Sequence, residues 1–161
     1  MNRTTSISLA VFSILCLSSV GMCTDKVNFE GTWVIDIRPK SQRNAECGHA
    51  HFQLLQEGDR LCGDHTFATP NCGRLNEGYP GSVKGIVVGS TAVLVVTSGR
   101  NGAIVMGKAT RKGNALHWTT LEEIKAGEIE GDSPLILGEG ILKLGTPLSV
   151  SPKLLDACKS R

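Results

Sequence analysis

The sequence predicts an all-β fold: a single antiparallel, eight-stranded, up-and-down β-barrel spanning residues 24–161, closed by one short C-terminal helix. Three observations lead there. Short β-rich runs alternate with Gly-, Asn- and Asp-containing turns at the spacing of a barrel or sandwich. The three middle runs are rich in Val, Ile and Ala and nearly uncharged, as in strands covered on both faces or closed into a barrel. Nineteen glycines suit a small, tightly curved sheet, where Gly relieves crowding at bends. Closure also removes exposed sheet edges; a two-sheet sandwich is the competing architecture.

A leader precedes this domain. Arg3 is followed by an apolar stretch over 9–20, and no acidic residue occurs before Asp25. The stretch is shorter than the ~20 apolar residues of a membrane span. It suits the core of a secretory signal peptide, taken as residues 1–23. Cleavage after Gly21 and cleavage after Cys23 both fit. Val20-Gly-Met-Cys23 resembles a bacterial lipoprotein signal, with Met22 where Gly, Ala or Ser is expected. A lipid anchor at Cys23 would tether the domain to a membrane. No later stretch is long and apolar enough for a transmembrane span, so the expected location is periplasmic or extracellular.

The strands follow in order. Thr32–Arg38 alternates, with Trp33, Ile35 and Ile37 on one face. Cys47–Gln56 and Arg60–Phe67 flank Gly58-Asp59, a hairpin signal. Residues 68–81 form a loop holding Pro70, Cys72 and Pro80. Ser82–Val88, Ala92–Ser98, Ala103–Thr110 and Ala115–Leu121 are joined by turns at Gly89-Ser90, Asn101-Gly102 and Lys112-Gly-Asn114. An acidic loop, Glu122–Pro134, leads to the eighth strand, Leu135–Leu144. Ser151 as N-cap and Pro152 in the first turn open the terminal helix.

Four cysteines of the domain, Cys47, Cys62, Cys72 and Cys158, form an even set suited to an oxidising compartment. With Gly58-Asp59 as the turn, Cys47 lies opposite Pro70. That register predicts a Cys47–Cys72 bridge and leaves Cys62 for Cys158. A Cys62–Cys72 bridge, closing a shorter loop, is the alternative.

Gly31-Thr-Trp33 resembles the Gly-x-Trp start of the calycin barrels, the lipocalins and avidins. No Thr-Asp-Tyr motif accompanies it, and the helix follows the last strand instead of preceding it. The resemblance implies that Trp33 plugs one barrel end while the other, open end binds a small apolar molecule. The hairpin register puts Phe52, Leu54, Leu61, His65 and Phe67 on one inward face, and Gly63, Gly85 and Gly107 leave room among them. The expected ligand pocket is floored by Trp33, lined by Phe52, Val95 and the space over Gly107, and oriented by His65 as a rare inward polar group.

A second class of function is a protein-interaction module, an inhibitor or immunity protein acting on an exported enzyme. Ser98-Gly-Arg100-Asn101-Gly102 is a tight turn with one strong donor. It is similar to the Ser-plus-basic loop that small periplasmic lysozyme inhibitors offer to an enzyme's carboxylates, although the Tyr that usually follows is absent. Ser98, Arg100 and Asn101 are therefore the candidates for contacting an exported protein partner.

Other classes find little support. The sequence has 17 Lys and Arg against 15 Asp and Glu, with no basic run of the kind a nucleic-acid partner requires. There is no Gly-x-Ser-x-Gly elbow, His-Glu-x-x-His motif or phosphate-cradling loop, so neither an enzyme nor a cofactor is expected. His49, His51 and Asp64 share one face of the first hairpin and could approach a metal ion. Solvated histidines are the default on an open strand face, so no metal is expected. His117 falls on the outer face of its strand.

Overall fold

The structure is a computed structural model that describes residues 27–159. The signal-peptide and Cys23 expectations lie outside those residues. Among the described residues there are nine strands and one α-helix: β1 (Gly31–Asp36), β2 (Cys47–Glu57), β3 (Arg60–Pro70), β4 (Leu75–Glu77), β5 (Val83–Val88), β6 (Thr91–Thr97), β7 (Ile104–Lys112), β8 (Ala115–Lys125), β9 (Glu139–Leu144) and α1 (Pro152–Cys158). Eight of the strands form a closed antiparallel barrel. β1, β2, β3, β5, β6, β7, β8 and β9 each pair with the next, and β9 returns to β1. β4 lies outside the ring, paired only with the far half of β3.

Gly58-Asp59 turns the first hairpin, with Glu57 opposite Arg60 and Cys47 opposite Pro70. The φ of +61° at Gly58 is a left-handed conformation that glycine adopts without steric cost. The register delivers both disulfides of the first pairing, Cys47–Cys72 and Cys62–Cys158. Two of the turns, 58–59 and 113–114, lie with Phe29 and the start of β1 at one barrel end, and the long loops gather at the other.

Beyond shifts of one or two residues at strand ends, the structure differs from the sequence reading at β3 and β4, β8, β9 and Val95. β3 runs on to Pro70, and Leu75–Glu77 pairs back onto it, so the loop 68–81 contains strand at both ends of a shorter turn. β8 continues into the acidic segment as far as Lys125, beside a β7 that carries two register irregularities. Residues 135–138 are not strand; β9 begins at Glu139. Val95 points outward and is half-buried, because Ala92, Leu94 and Val96 take the inward positions of β6.

The core lies inside the ring. Trp33, Trp118, Phe29, Phe52, Leu54, Leu94, Leu116 and Leu142 are all at most 2% exposed. After β9 the chain crosses the outer wall. The amide of Gly145 donates to Thr32 O at 2.8 Å, and Gln53 Nε2 donates to Leu148 O at 3.3 Å. The strap ends in α1, whose N-cap Ser151 Oγ accepts from the Leu154 amide at 3.1 Å. Leu154 is buried, and Cys158 is bonded to Cys62 on β3.

Candidate functional site

Trp33, Phe52 and His65 are direct cross-strand neighbours on β1, β2 and β3, all facing inward. Trp33 closes the end at the start of β1. Its indole Nε1 donates to Phe29 O at 2.8 Å, and the Arg111 guanidinium lies over its ring, 5.2 Å from the centroid. An Arg so placed gains from the ring's negative face.

The glycines do not leave the room expected of them. A Cβ at Gly107 would overlap the Trp118 indole, one at Gly85 would overlap Leu94, and one at Gly63 would overlap the Gln53 carbonyl. Trp118 therefore fills the space over Gly107 and meets Phe52 across the barrel, with ring centroids 5.1 Å apart. An eight-stranded barrel is barely wide enough for its own side chains, and these large rings occupy it.

The opposite end is covered too. The 126–138 loop folds over it, with Leu135 and Leu137 buried at 6% and 7% exposure. Its carbonyls accept from groups rooted in the barrel: Pro134 O from Ser98 Oγ at 2.9 Å, and Leu137 O from Trp118 Nε1 at 2.6 Å. Leu135 takes a left-handed φ of +48° to make these contacts.

His65 sits under this cover with Asn76 and Ser82, all three at most 2% exposed. Asn76 Nδ2 faces the carbonyls of Pro134 and Leu135, so it is the donating end of the amide. The same nitrogen lies 3.0 Å from His65 Nε2, and His65 Nδ1 lies 3.2 Å from Ser82 Oγ, so both ring nitrogens face polar partners. Burial pushes the His65 pKa down to about 4, with a smaller contribution from His51, so the ring is neutral near pH 7.

The turn at 98–103 is a latch. Ser98 and Asn101 are buried at 2% and 5% exposure. Asn101 Nδ2 donates to Asp132 O at 3.0 Å, and Arg100 Nε meets Asp132 Oδ2 at 3.0 Å. Arg74 pairs with the same carboxylate. Hydrogen bonding from Arg100 leads the effects that hold the Asp132 carboxyl below its usual range. The three residues expected to address a partner thus hold down the 126–138 loop.

On the outer face of the first hairpin, the His49 and His51 rings stack with centroids 6.1 Å apart and planes 7° from parallel. Burial, then the charge of His49, lowers the His51 pKa; burial raises that of Asp64. No group of three or more His, Cys, Asp or Glu among the described residues is placed to hold a metal ion. No helix among them is long and apolar enough to cross a membrane.

An open concavity lies outside the barrel, a feature the sequence reading missed. A groove of about 960 Å³ runs between α1 and the outer wall of β2, β3, β5 and β6. Two rows of outward residues build its floor. Leu55, Cys62, Lys84 and Val95 are successive cross-strand partners; so are Glu57, Arg60, Ile86 and Val93. Leu155 of α1 forms the facing wall. Lys84 Nζ donates to Ala157 O at 2.9 Å and contacts Cys62 Sγ at 3.1 Å, which steadies the end of the helix. Of the five residues expected to bind a ligand, only Val95 lines this groove. The outward faces of β5 and β6 carry Ile86, Val93 and Val95 beside Lys84. Comparison of this chain with known protein families, with curated proteins and with solved structures finds no match.

Proposed function

We propose that this protein is an exported, non-catalytic binding protein that holds a small apolar ligand in the groove between α1 and the barrel wall. One observation carries the reading. The barrel interior is occupied by its own side chains, while β5 and β6 present Ile86, Val93 and Val95 to an open groove. Its volume falls within the ~300–1,000 Å³ of small-molecule sites, and a preformed apolar concavity gains by excluding water. Two disulfides and the absence of a membrane-spanning helix among the described residues fit an exported domain.

A second reading, a protein-interaction module, draws on the apolar wall that runs from the groove floor at Ile86 to Val88 outside it. Ile86 and Val88 are 54% and 64% exposed, and contiguous apolar surface often marks a protein contact. Titration with the neutral fluorescent probe N-phenyl-1-naphthylamine tests the first reading. Saturable binding abolished by Val95→Asp at unchanged melting temperature is expected. Binding that survives Val95→Asp places the ligand elsewhere, and absence of binding favours the interaction module.

A further inference from the structure

We propose that the groove takes a single-chain amphiphile with an anionic head, such as a fatty carboxylate, its head held by Arg60 and Lys84 and its chain lying along Ile86, Val93, Val95 and Leu155. This rests on the groove being the binding site. The charge pattern supplies the argument. Three cations and two carboxylates border the groove: Arg60, Lys84 and Lys159 against Glu57 and Asp156. Asp156 is held by Lys159 at 2.6 Å. Glu57, opposite Arg60, and Asp59 have partners of their own, and the salt bridges between described residues include neither Arg60 nor Lys84.

Position makes these two cations a pair. Arg60 is opposite Ile86 and Lys84 is opposite Cys62, so they are diagonal neighbours on adjacent strands. Cross-strand diagonals lie about 7–8 Å apart, within reach of long side chains converging on one group. Lys84 spends two donors on Ala157 O and Cys62 Sγ and has a third to offer. Arg60 offers a planar fork matched to a carboxylate or phosphate. On the β5–β6 and α1 side of this pair the wall is apolar, with Ile86, Val93, Val95 and Leu155, so a head and a chain are both provided for. The Cys62–Cys158 bridge and the buried Leu154 fix the helix that forms the facing wall, and a wall already in place avoids an ordering cost on binding.

The test is calorimetric titration of the disulfide-intact protein with decanoate, decanol and decyltrimethylammonium, each below its aggregation concentration. Decanoate is expected to bind about tenfold more tightly than decanol, as one charge-assisted hydrogen bond implies. Arg60→Gln should reduce decanoate binding towards the decanol level while leaving decanol binding and the melting temperature unchanged. Lys84→Met should do the same to decanoate, but it also frees α1, so Arg60→Gln is the deciding variant. Equal affinity for decanoate and decanol, or preference for the ammonium, overturns the anionic head and leaves the groove reading standing. If none of the three binds, or Val95→Asp changes nothing, the groove reading itself fails and this proposal with it.

Discussion

Burial gives His65 a pH signature. Its pKa falls from the ordinary 6.5 to about 4, chiefly through desolvation. Between those values the unfolded chain binds a proton that the folded chain does not, so stability is full above the unfolded pKa and falls as pH drops from 6.5 towards 4. The shift corresponds to roughly 3 kcal/mol across that window. Denaturant unfolding at neutral pH and near pH 4 should show the loss, and His65→Gln should flatten it. A pH dependence identical in the variant would assign the effect to other groups. Gly107 behaves as strictly. Its missing Cβ is where the Trp118 indole sits, so Gly107→Ala should destabilise by ~1–3 kcal/mol through overpacking. A neutral result by thermal unfolding would mean that the interior has slack after all.

At the scale of elements, the strap and helix have one covalent tie to the barrel. α1 has seven residues, too few to be stable alone, and Cys62–Cys158 closes a separation of 96 residues. Replacing both cysteines by Ser should cost ~2–4 kcal/mol and remove apolar-probe binding, because the groove loses its facing wall. Retained binding in a double Ser variant that still folds would separate the groove from α1. The Cys47–Cys72 bridge was legible in the sequence, since a two-residue turn at Gly58-Asp59 sets the register of every later hairpin position, and it left Cys62 for Cys158. The strand order was legible for the same reason: alternation and turn chemistry are local. β4 was not, because three residues paired to the far half of β3 carry no periodicity of their own. The role of Ser98, Arg100 and Asn101 was hidden as well. Their partners, Asp132 and the Pro134 carbonyl, lie more than thirty residues away, and a long-range hydrogen bond leaves no mark in local sequence. Val95 was placed on the wrong face because β6 is apolar on both, so hydrophobicity could not decide its parity.

For the whole molecule, that ambiguity at β5 and β6 becomes a physical property. A barrel has one core, and its inward residues Val83, Leu94 and Val96 are fully buried in it. The outward set, Ile86, Val88, Val93 and Val95, contributes little to that core, yet it is apolar. Removing an inward side chain, as in Leu94→Ala, should cost ~2–5 kcal/mol by leaving a cavity among packed neighbours. The outward double variant Ile86→Thr, Val93→Thr should cost well under the Leu94→Ala loss, about 1 kcal/mol or less per site, since Thr keeps the β-branch that suits a strand and both side chains lie outside the core. The same variant should bind N-phenyl-1-naphthylamine at least tenfold more weakly, because the floor of the groove is then lined by hydroxyls. Paired measurements of unfolding free energy and probe affinity check this. A large loss of stability with binding intact would show the outer wall to be part of the fold's own packing and would leave the groove without a functional argument.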